Sequence, residues 1–431
     1  MHLNWSQIAR LGLVQMALGA IVVLTTSTLN RLMVVEFALP AVLPGALVGL
    51  HYGIQLTRPR WGFISDKGGN RTTWIISGMA VLALGALLAA YAVTLFATHS
   101  SLALGLSLLA YAAIGLGVGA SGTSLLALLA TTTAPHRRAA AATITWLMMI
   151  FGIALTAGLA GSFLDPYSPA RLMTVVAVVV SGAMLLTIVA TGRIEQGLTV
   201  TAQEPPTPFM EGLREIWAER RARNFTLFVF LSMNAYFMQE LILEPYAGLV
   251  FGYTPGQSTT LSGAQNGGVF IGMLTVGIMA TGLKIGSLRA WVSAGCLGSA
   301  ALLCTIALNG AGGNFAPLTP LVVALGFFNG MFAVAAIGSM MALASDGRER
   351  REGTRMGLWG AAQAIAAGFG GLTGAAAADL FRTVLPDGAA FGAVFTLEAA
   401  LFVAAAIMAL HVLGRTDTHP QPGTPALVPG E

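Results

Sequence analysis

Charge is what this 431-residue sequence has least of: 9% of its residues are Asp, Glu, Lys or Arg, against 55% hydrophobic. A soluble domain carries about 25% charged residues, so most of this chain does not face water. Lysine is almost missing. Lys67 and Lys284 both lie between apolar runs, which leaves no amine inside a span for a Schiff base. Cysteine is limited to Cys296 and Cys304 in one apolar run. On a helix their Cα atoms stand roughly 12 Å apart, beyond disulfide reach, so they report nothing about redox compartment. No Gly-Lys-Ser/Thr phosphate loop, His-Glu-x-x-His helix, paired Cys-x-x-Cys or aspartate-rich prenyl-transferase motif occurs. ATP use through that loop and the common zinc chemistries are excluded, and we read the chain as non-catalytic. The net charge of +4 comes from short basic clusters between apolar runs, a topology signal rather than a nucleic-acid stripe.

What the sequence has in quantity is apolar runs of bilayer length, about 20 residues each. They predict spans near 9–29, 40–57, 73–95, 102–132, 140–162 and 171–191, then 225–245, 259–281, 289–309, 318–344, 356–378 and 391–413. The expected architecture is all-α, about twelve membrane helices in two halves, 1–191 and 224–414. A linker over 192–223 joins the halves, and a disordered tail follows over 415–431. The first run has no small-residue cleavage site after it and is read as a retained span. The 53 glycines suit helices that approach closely in lipid.

Placing both termini in the cytoplasm puts Arg10, Arg58, Arg60, Lys67, Arg71, Arg137, Arg138, Arg193, Arg214, Arg220, Arg221, Arg223, Lys284, Arg289, Arg348, Arg350, Arg351, Arg355 and Arg415 on that side. These are nineteen of the 22 basic residues; only Arg31, Arg171 and Arg382 fall outside. Because positive charge resists translocation, the expectation is a multi-pass protein of the bacterial inner membrane with both ends inside. In the linker, Gln203 to Pro208 reads as extended. Phe209, Leu213, Ile216 and Trp217 then recur at helical spacing, as in an amphipathic helix on the membrane surface.

Between spans two and three the chain reads Gly62, three residues, Asp66, Lys67, one residue, Gly69 and Arg71. This loop resembles the signature of the major facilitator superfamily, in which an aspartate caps a helix or pairs with an arginine to latch the halves. Asn70 stands where that signature often has arginine. Gly277, Thr281, Lys284, Gly286 and Arg289 form a degraded echo in the second half, as two related repeats would give. A closer resemblance runs along nearly the whole chain. Leu24 to Arg31, Met33 to Glu36, Leu43-Pro44-Gly45, Leu50-His51-Tyr52 and Arg58-Pro59-Arg60 are similar to the PucC/LhaA family of light-harvesting assembly and bacteriochlorophyll-delivery proteins. Some members of that family are labelled chains of bacteriochlorophyll synthase. The resemblance implies bacteriochlorophyll or a precursor as ligand, with antenna polypeptides or a pigment synthase as partners. A proton-coupled transporter of a small solute and a non-transporting scaffold remain as other readings.

Polar groups inside spans are costly and mark candidate sites. Glu240 and Glu244 share one helical face near the expected outer end of span seven, with Pro245 just beyond. Thr25 to Asn30, Arg31 and Glu36 occupy the matching part of span one. Two readings stand for this group: a proton site, ligand anchor or outer gate, or else a fixed Arg31–glutamate pair or interfacial carboxylates in contact with water. His51 is the histidine well inside a span, and its imidazole is either an axial ligand for a pigment magnesium or a bridge between helices. Gln265, Asn266, Asn329 and Gln363 are expected to bond helix to helix, Glu398 to face a partner protein or a wet crevice, and the methionines to offer soft packing.

Overall fold

The computed structural model describes residues 2–57, 70–134, 137–195, 214, 217–312, 315–345 and 352–413. Among them are twelve helices of at least 14 residues. In chain order these are α1 (Trp5–Glu36), α2 (Val42–Gln55), α3 (Arg71–Thr94), α4 (Ser100–Thr132), α5 (Arg138–Leu164) and α6 (Pro169–Thr191). The second set is α7 (Arg220–Phe251), α8 (Pro255–Val276), α9 (Leu288–Gly312), α10 (Leu318–Ser345), α11 (Glu352–Arg382) and α12 (Asp387–Leu413). Eleven of the twelve are long and apolar enough to cross a bilayer; α2 is shorter within the described residues. Large side chains such as Leu109, Phe163, Val178 and Leu185 stand exposed around the bundle, as lipid contact requires. The chain is a multi-pass membrane protein.

Local chemistry starts these helices where they start. Asn4 and Gln7 close a capping box on α1, and Thr254 and Gln257 do so on α8, whose first residue is Pro255. Ser168 caps α6, again followed by proline. Such ends satisfy amides that the helix itself leaves open.

The packing order repeats. In the first half α1 lies against α5 and α6, α3 against α4 and α6, and α2 against α4. Adding six to every number gives the order of the second half: α7 against α11 and α12, α9 against α10 and α12, α8 against α10. Each half encloses its own apolar core, one running from Leu3 to Ile194 and the other from Phe225 to Val412, with Leu241 of α7 reaching into the first. The halves meet through α5 against α8 and α2 against α11, contacts exchanged by the same operation, and through the second part of α1 against α7 and α8. The start of α1, the start of α3 and the end of α4 lie together, Leu3 donating to the Thr132 carbonyl and Arg71 to the Ala127 carbonyl, and this is here the terminus side; the ends of α1, α5, α7 and α11 make up the far side.

Two boundaries differ from expectation. Span one does not stop at residue 29: α1 runs on to Glu36 through π-helical turns at Leu24–Thr28 and Leu32–Glu36. Pro245 does not end span seven but lies inside α7, which continues to Phe251 and closes with Gly252 at φ 69°. Neighbouring groups absorb both irregularities, as described below. Gly62, Asp66, Lys67 and Gly69 of the loop signature lie outside the described residues, as do Gln203 to Pro208, Phe209, Leu213, Ile216 and the 415–431 tail.

Candidate functional site

The irregular stretch of α1 is the most polar part of the bundle interior. Thr25, Thr26, Ser27, Thr28, Asn30 and Arg31 are all buried there, facing α7 and α8. π-turns disturb the usual backbone pairing and often mark functional positions. Here the Tyr111 hydroxyl of α4 donates to the Thr25 carbonyl at 2.6 Å, while Thr25 and Thr26 Oγ1 donate to the Val22 carbonyl at 2.9 and 3.1 Å.

Opposite this stretch, Pro245 lacks the amide that would reach back to Leu241 within α7. Asn30 Nδ2 of α1 donates to that freed Leu241 carbonyl at 2.6 Å. The helix-breaking residue in one half is thus answered by a side chain from the other.

Glu244, 1% exposed, accepts from Ser27 Oγ at 2.5 Å and from Thr259 Oγ1 at 3.5 Å. Ser27 also meets Ser262 at 3.1 Å, and Thr28 meets Thr259 at 3.1 Å. Glu240, one turn earlier in α7, is half-buried and hydrogen-bonded by Thr26. The two carboxyls therefore share a helical face, as their spacing predicts, but differ in setting. Glu244 is sealed among hydroxyls, whereas Glu240 remains partly accessible. Such a seam can bind a proton or a hydrogen-bonding ligand between the halves.

Arg31 lies at the far-side end of this seam with 2% exposure. Its Nη1 pairs with Glu36 Oε1 at 2.5 Å, and its Nη2 donates to the Tyr253 carbonyl at 2.7 Å beyond the end of α7. The structure contains an Arg31–glutamate pair, and the glutamate is Glu36, about one turn further along the same helix, rather than Glu240 or Glu244 of α7. Tyr167 stands nearby outside the spans. Burial, and then the Glu36 carboxylate, push its phenol above the ordinary value, while Arg31 pulls the other way.

His51 is not in the seam. It is 1% exposed on the face of α2 that packs into the first half, its Nε2 is 2.9 Å from Gln55 Nε2, and Tyr52 stands edge-on at 4.8 Å. Gly115 of α4 packs under its backbone, where a Cβ would come within 2.7 Å of the His51 carbonyl. The Gln55 contact lies within α2, one turn on, and the imidazole packs inside the bundle. Tyr52, on the neighbouring face, reaches the other half and meets Phe237 at 5.9 Å.

Other expectations divide. Asn329 does bond helix to helix, accepting from Ser299 Oγ at 2.8 Å, while Asn266 stays within its own helix on the Ser262 carbonyl. Glu398 lies within α12. It is 0% exposed inside the second half, and neither carboxyl oxygen has a hydrogen-bond partner among the described residues. Methionine packs between helices, with Met16, Met148 and Met149 filling the α1–α5 contact against Gly152, Gly12 and Gly19. Of the loop signature, Arg71 is described. Its side chain reaches the Ala127 carbonyl at 2.9 Å and Thr131 Oγ1, and its amide donates to Glu195 Oε1 at 3.0 Å. Asn70 caps α3 through the Thr73 amide, which is a use for the residue where the signature has arginine. The echo places its turn after α8, with Gly286 at φ 76°.

Sequence reasoning passed over Thr259, Ser262, Glu195, Asp165 and Asp379. The signal for Asp165 and Asp379 was present as aspartates at the far-side ends of spans five and eleven, but their partners lie 91 and 338 residues away.

The chain matches the family described as PUCC protein over residues 28–417. It is 67% identical over 415 residues to a Rhodobacter capsulatus protein named bacteriochlorophyll synthase 44.5 kDa chain, covering 96% of each. It is 30% identical to protein PucC of Cereibacter sphaeroides, covering 94% of this chain and 92% of that one. Among solved structures it resembles a bacterial homologue of the human lysosomal transporter Spinster, in an inward-facing and unoccupied conformation, with TM-score 0.66, 14% identity and 95% of each chain covered. A second similar structure is from work on proton-dependent oligopeptide transporters, with TM-score 0.67, 15% identity, and 95% of this chain and 99% of that one covered. At such identity these structures establish the fold alone, which is the major facilitator fold.

Proposed function

The chain belongs to the PUCC protein family, and from that premise we propose that it delivers or shields bacteriochlorophyll, or a close precursor, during assembly of light-harvesting complexes. The observation that carries this reading is the 67% identity, over 96% of each chain, to the Rhodobacter capsulatus protein whose name ties it to bacteriochlorophyll synthase. The fold supports a carrier or escort. Two halves hinge about a seam whose polar groups come from both sides, so a ligand between them is screened from lipid and released by moving one half. The role is accessory rather than catalytic, and the partners are antenna polypeptides or a pigment synthase. The bacteriochlorophyll is cargo here, and no residue is assigned to its magnesium.

The charge asymmetry supports a topology with the terminus side, the linker and both ends in the cytoplasm of a bacterial inner membrane. Reporter fusions within Pro205–Pro208 and after Arg415 should both read cytoplasm.

A strain lacking this protein separates assembly from synthesis. Antenna absorption bands should fall while extractable bacteriochlorophyll persists. Loss of the pigment itself would instead mark a biosynthetic step and overturn the reading. A second reading, proton-coupled movement of a small solute, is favoured by one observation: Glu240 and Glu244 lie in the seam between the halves. Solute-dependent proton flux in proteoliposomes, lost in Glu240→Gln with Glu244→Gln, would select it.

A further inference from the structure

The far-side ends of the two halves are joined by two aspartates, and the joints are related by the same repeat that relates the helices. Asp379, near the end of α11, accepts from the Ala41 amide at 2.9 Å and the Val42 amide at 2.7 Å where α2 begins. Asp165, just past the end of α5, accepts from the Gly256 amide at 3.1 Å and from Thr254 Oγ1 where α8 begins. Under the six-helix repeat α5 corresponds to α11 and α8 to α2. Each joint also has an arginine beside it. Arg171 donates to the Asp165 carbonyl and, at 3.0 Å, to the Pro166 carbonyl. Arg382 Nη1 stands 3.8 Å from Asp379, and its Nε donates to Asp387 at 2.8 Å.

The first turn of a helix leaves its amides open and partly positive, and a carboxylate there is favourable. An ordinary cap comes from the same segment. α8 already has one in Thr254 with Gln257, so Asp165 is not needed to start that helix. The N-cap residue of α2, Ala41, has no capping side chain, and Asp379 supplies the acceptor from the other half. Both bonds therefore exist only while the halves stay together on this side. The fit is close: a Cβ on Gly256 would come within 2.6 Å of Asp165 Cγ, and Val34, Ala41 and Ala375 form a small apolar cluster below the second joint.

We propose that Asp165 and Asp379 are a matched pair of latches that hold the far side shut, and that opening this side requires both to release. Both residues are half-buried, so water can replace the lost bonds when the halves part. Removing one helix cap of this kind changes an equilibrium about tenfold. That is enough to set which conformation predominates and small enough to be reversed by a ligand.

The test is a distance measurement on the full-length protein in lipid nanodiscs. Cys296 and Cys304 are replaced by serine, and spin labels are placed at Ala97 and Phe315, exposed far-side positions in the α3–α4 and α9–α10 connections. The parent should give one short distance. Asp165→Ala and Asp379→Ala should each raise the ratio of long to short distance about tenfold, and the double variant about a hundredfold if the sites act independently. Thr174→Ala, an exposed residue whose hydroxyl bonds only the Ala170 carbonyl within α6, should leave the distribution as in the parent. Asp→Asn at each latch keeps one acceptor oxygen and should give a smaller rise, and these variants serve if the alanine forms do not fold. A purely structural role would lower thermal stability without moving the distances. An unchanged distribution in the folded double variant, whether alanine or asparagine, overturns the proposal.

Discussion

At the scale of single residues, the bundle handles its polar groups by pairing them across helices, and one pairing has a cause readable in the chain. Pro245 frees the Leu241 carbonyl, and Asn30 Nδ2 occupies it at 2.6 Å. Asn30→Leu should lower stability by about 1–3 kcal/mol, the usual penalty for an unpaired buried polar group. In a Pro245→Ala background the restored amide can serve Leu241 within α7, so the same substitution should cost less than half as much. Thermal unfolding of the four proteins in detergent checks this, and equal costs in both backgrounds would contradict it. Glu398 is the opposite case, a buried carboxyl with neither oxygen partnered among the described residues. Burying such a group without hydrogen bonds is unfavourable, so Glu398→Leu should raise stability, by about 1–3 kcal/mol. A lower melting temperature would show that the carboxyl has partners after all. The sequence marked Asn30, Glu240 and Glu398 as polar groups in spans, because a polar residue among apolar neighbours is visible locally. It did not show which group each one meets. Asn30 meets α7 only because two halves fold together, and His51, equally conspicuous as a letter, turns into its own half.

At the scale of elements, close approach replaces hydrophobic drive, since lipid is as apolar as the helices themselves. α8 and α10 show how it is done. A Cβ on Gly268 or Gly272 would overlap backbone of Val323 or Phe327, and one on Gly326 or Gly330 would overlap backbone of Gln265 or Val269. Gly330→Val should force the two helices apart and destabilise the second half by about 1–3 kcal/mol or more. Gly267, on the same helix but with open space around it, should tolerate alanine with little change. Parallel melting curves for Gly330→Val and Gly267→Ala provide the check; equal losses would contradict the packing account. Span positions were legible in the sequence to within a turn or two, because apolar runs are long and the basic clusters between them are sharp. Two ends were not. α1 continues past its polar stretch with Tyr111 on the Thr25 carbonyl and Glu244 on the Ser27 hydroxyl, and α7 continues past Pro245 with Asn30 on the Leu241 carbonyl. Helix ends set by tertiary partners leave no local mark.

At the scale of the whole molecule, the three basic residues that break the charge asymmetry acquire a common explanation. Arg31 binds the Tyr253 carbonyl and Glu36, Arg171 braces the backbone at Asp165, and Arg382 stands between Asp379 and Asp387. All three therefore stand at the far side, Arg171 and Arg382 beside the two proposed latches. The fold was legible from run count, basic loops and the loop signature together, although most of that signature lies outside the described residues. The candidate seam was half legible. Its α1 and α7 members stood out, whereas Thr259 and Ser262 of α8 resemble ordinary helix residues until the halves are packed. The claim on which the functional account rests is that this protein holds pigment, and the direct measurement is an absorption spectrum of the protein purified in mild detergent from a bacteriochlorophyll-producing cell. The account predicts a bacteriochlorophyll-type band that co-elutes with the protein and is absent from a mock purification of the deletion strain. A protein that elutes intact, folded and colourless, at a yield where one pigment per chain would be visible, contradicts it.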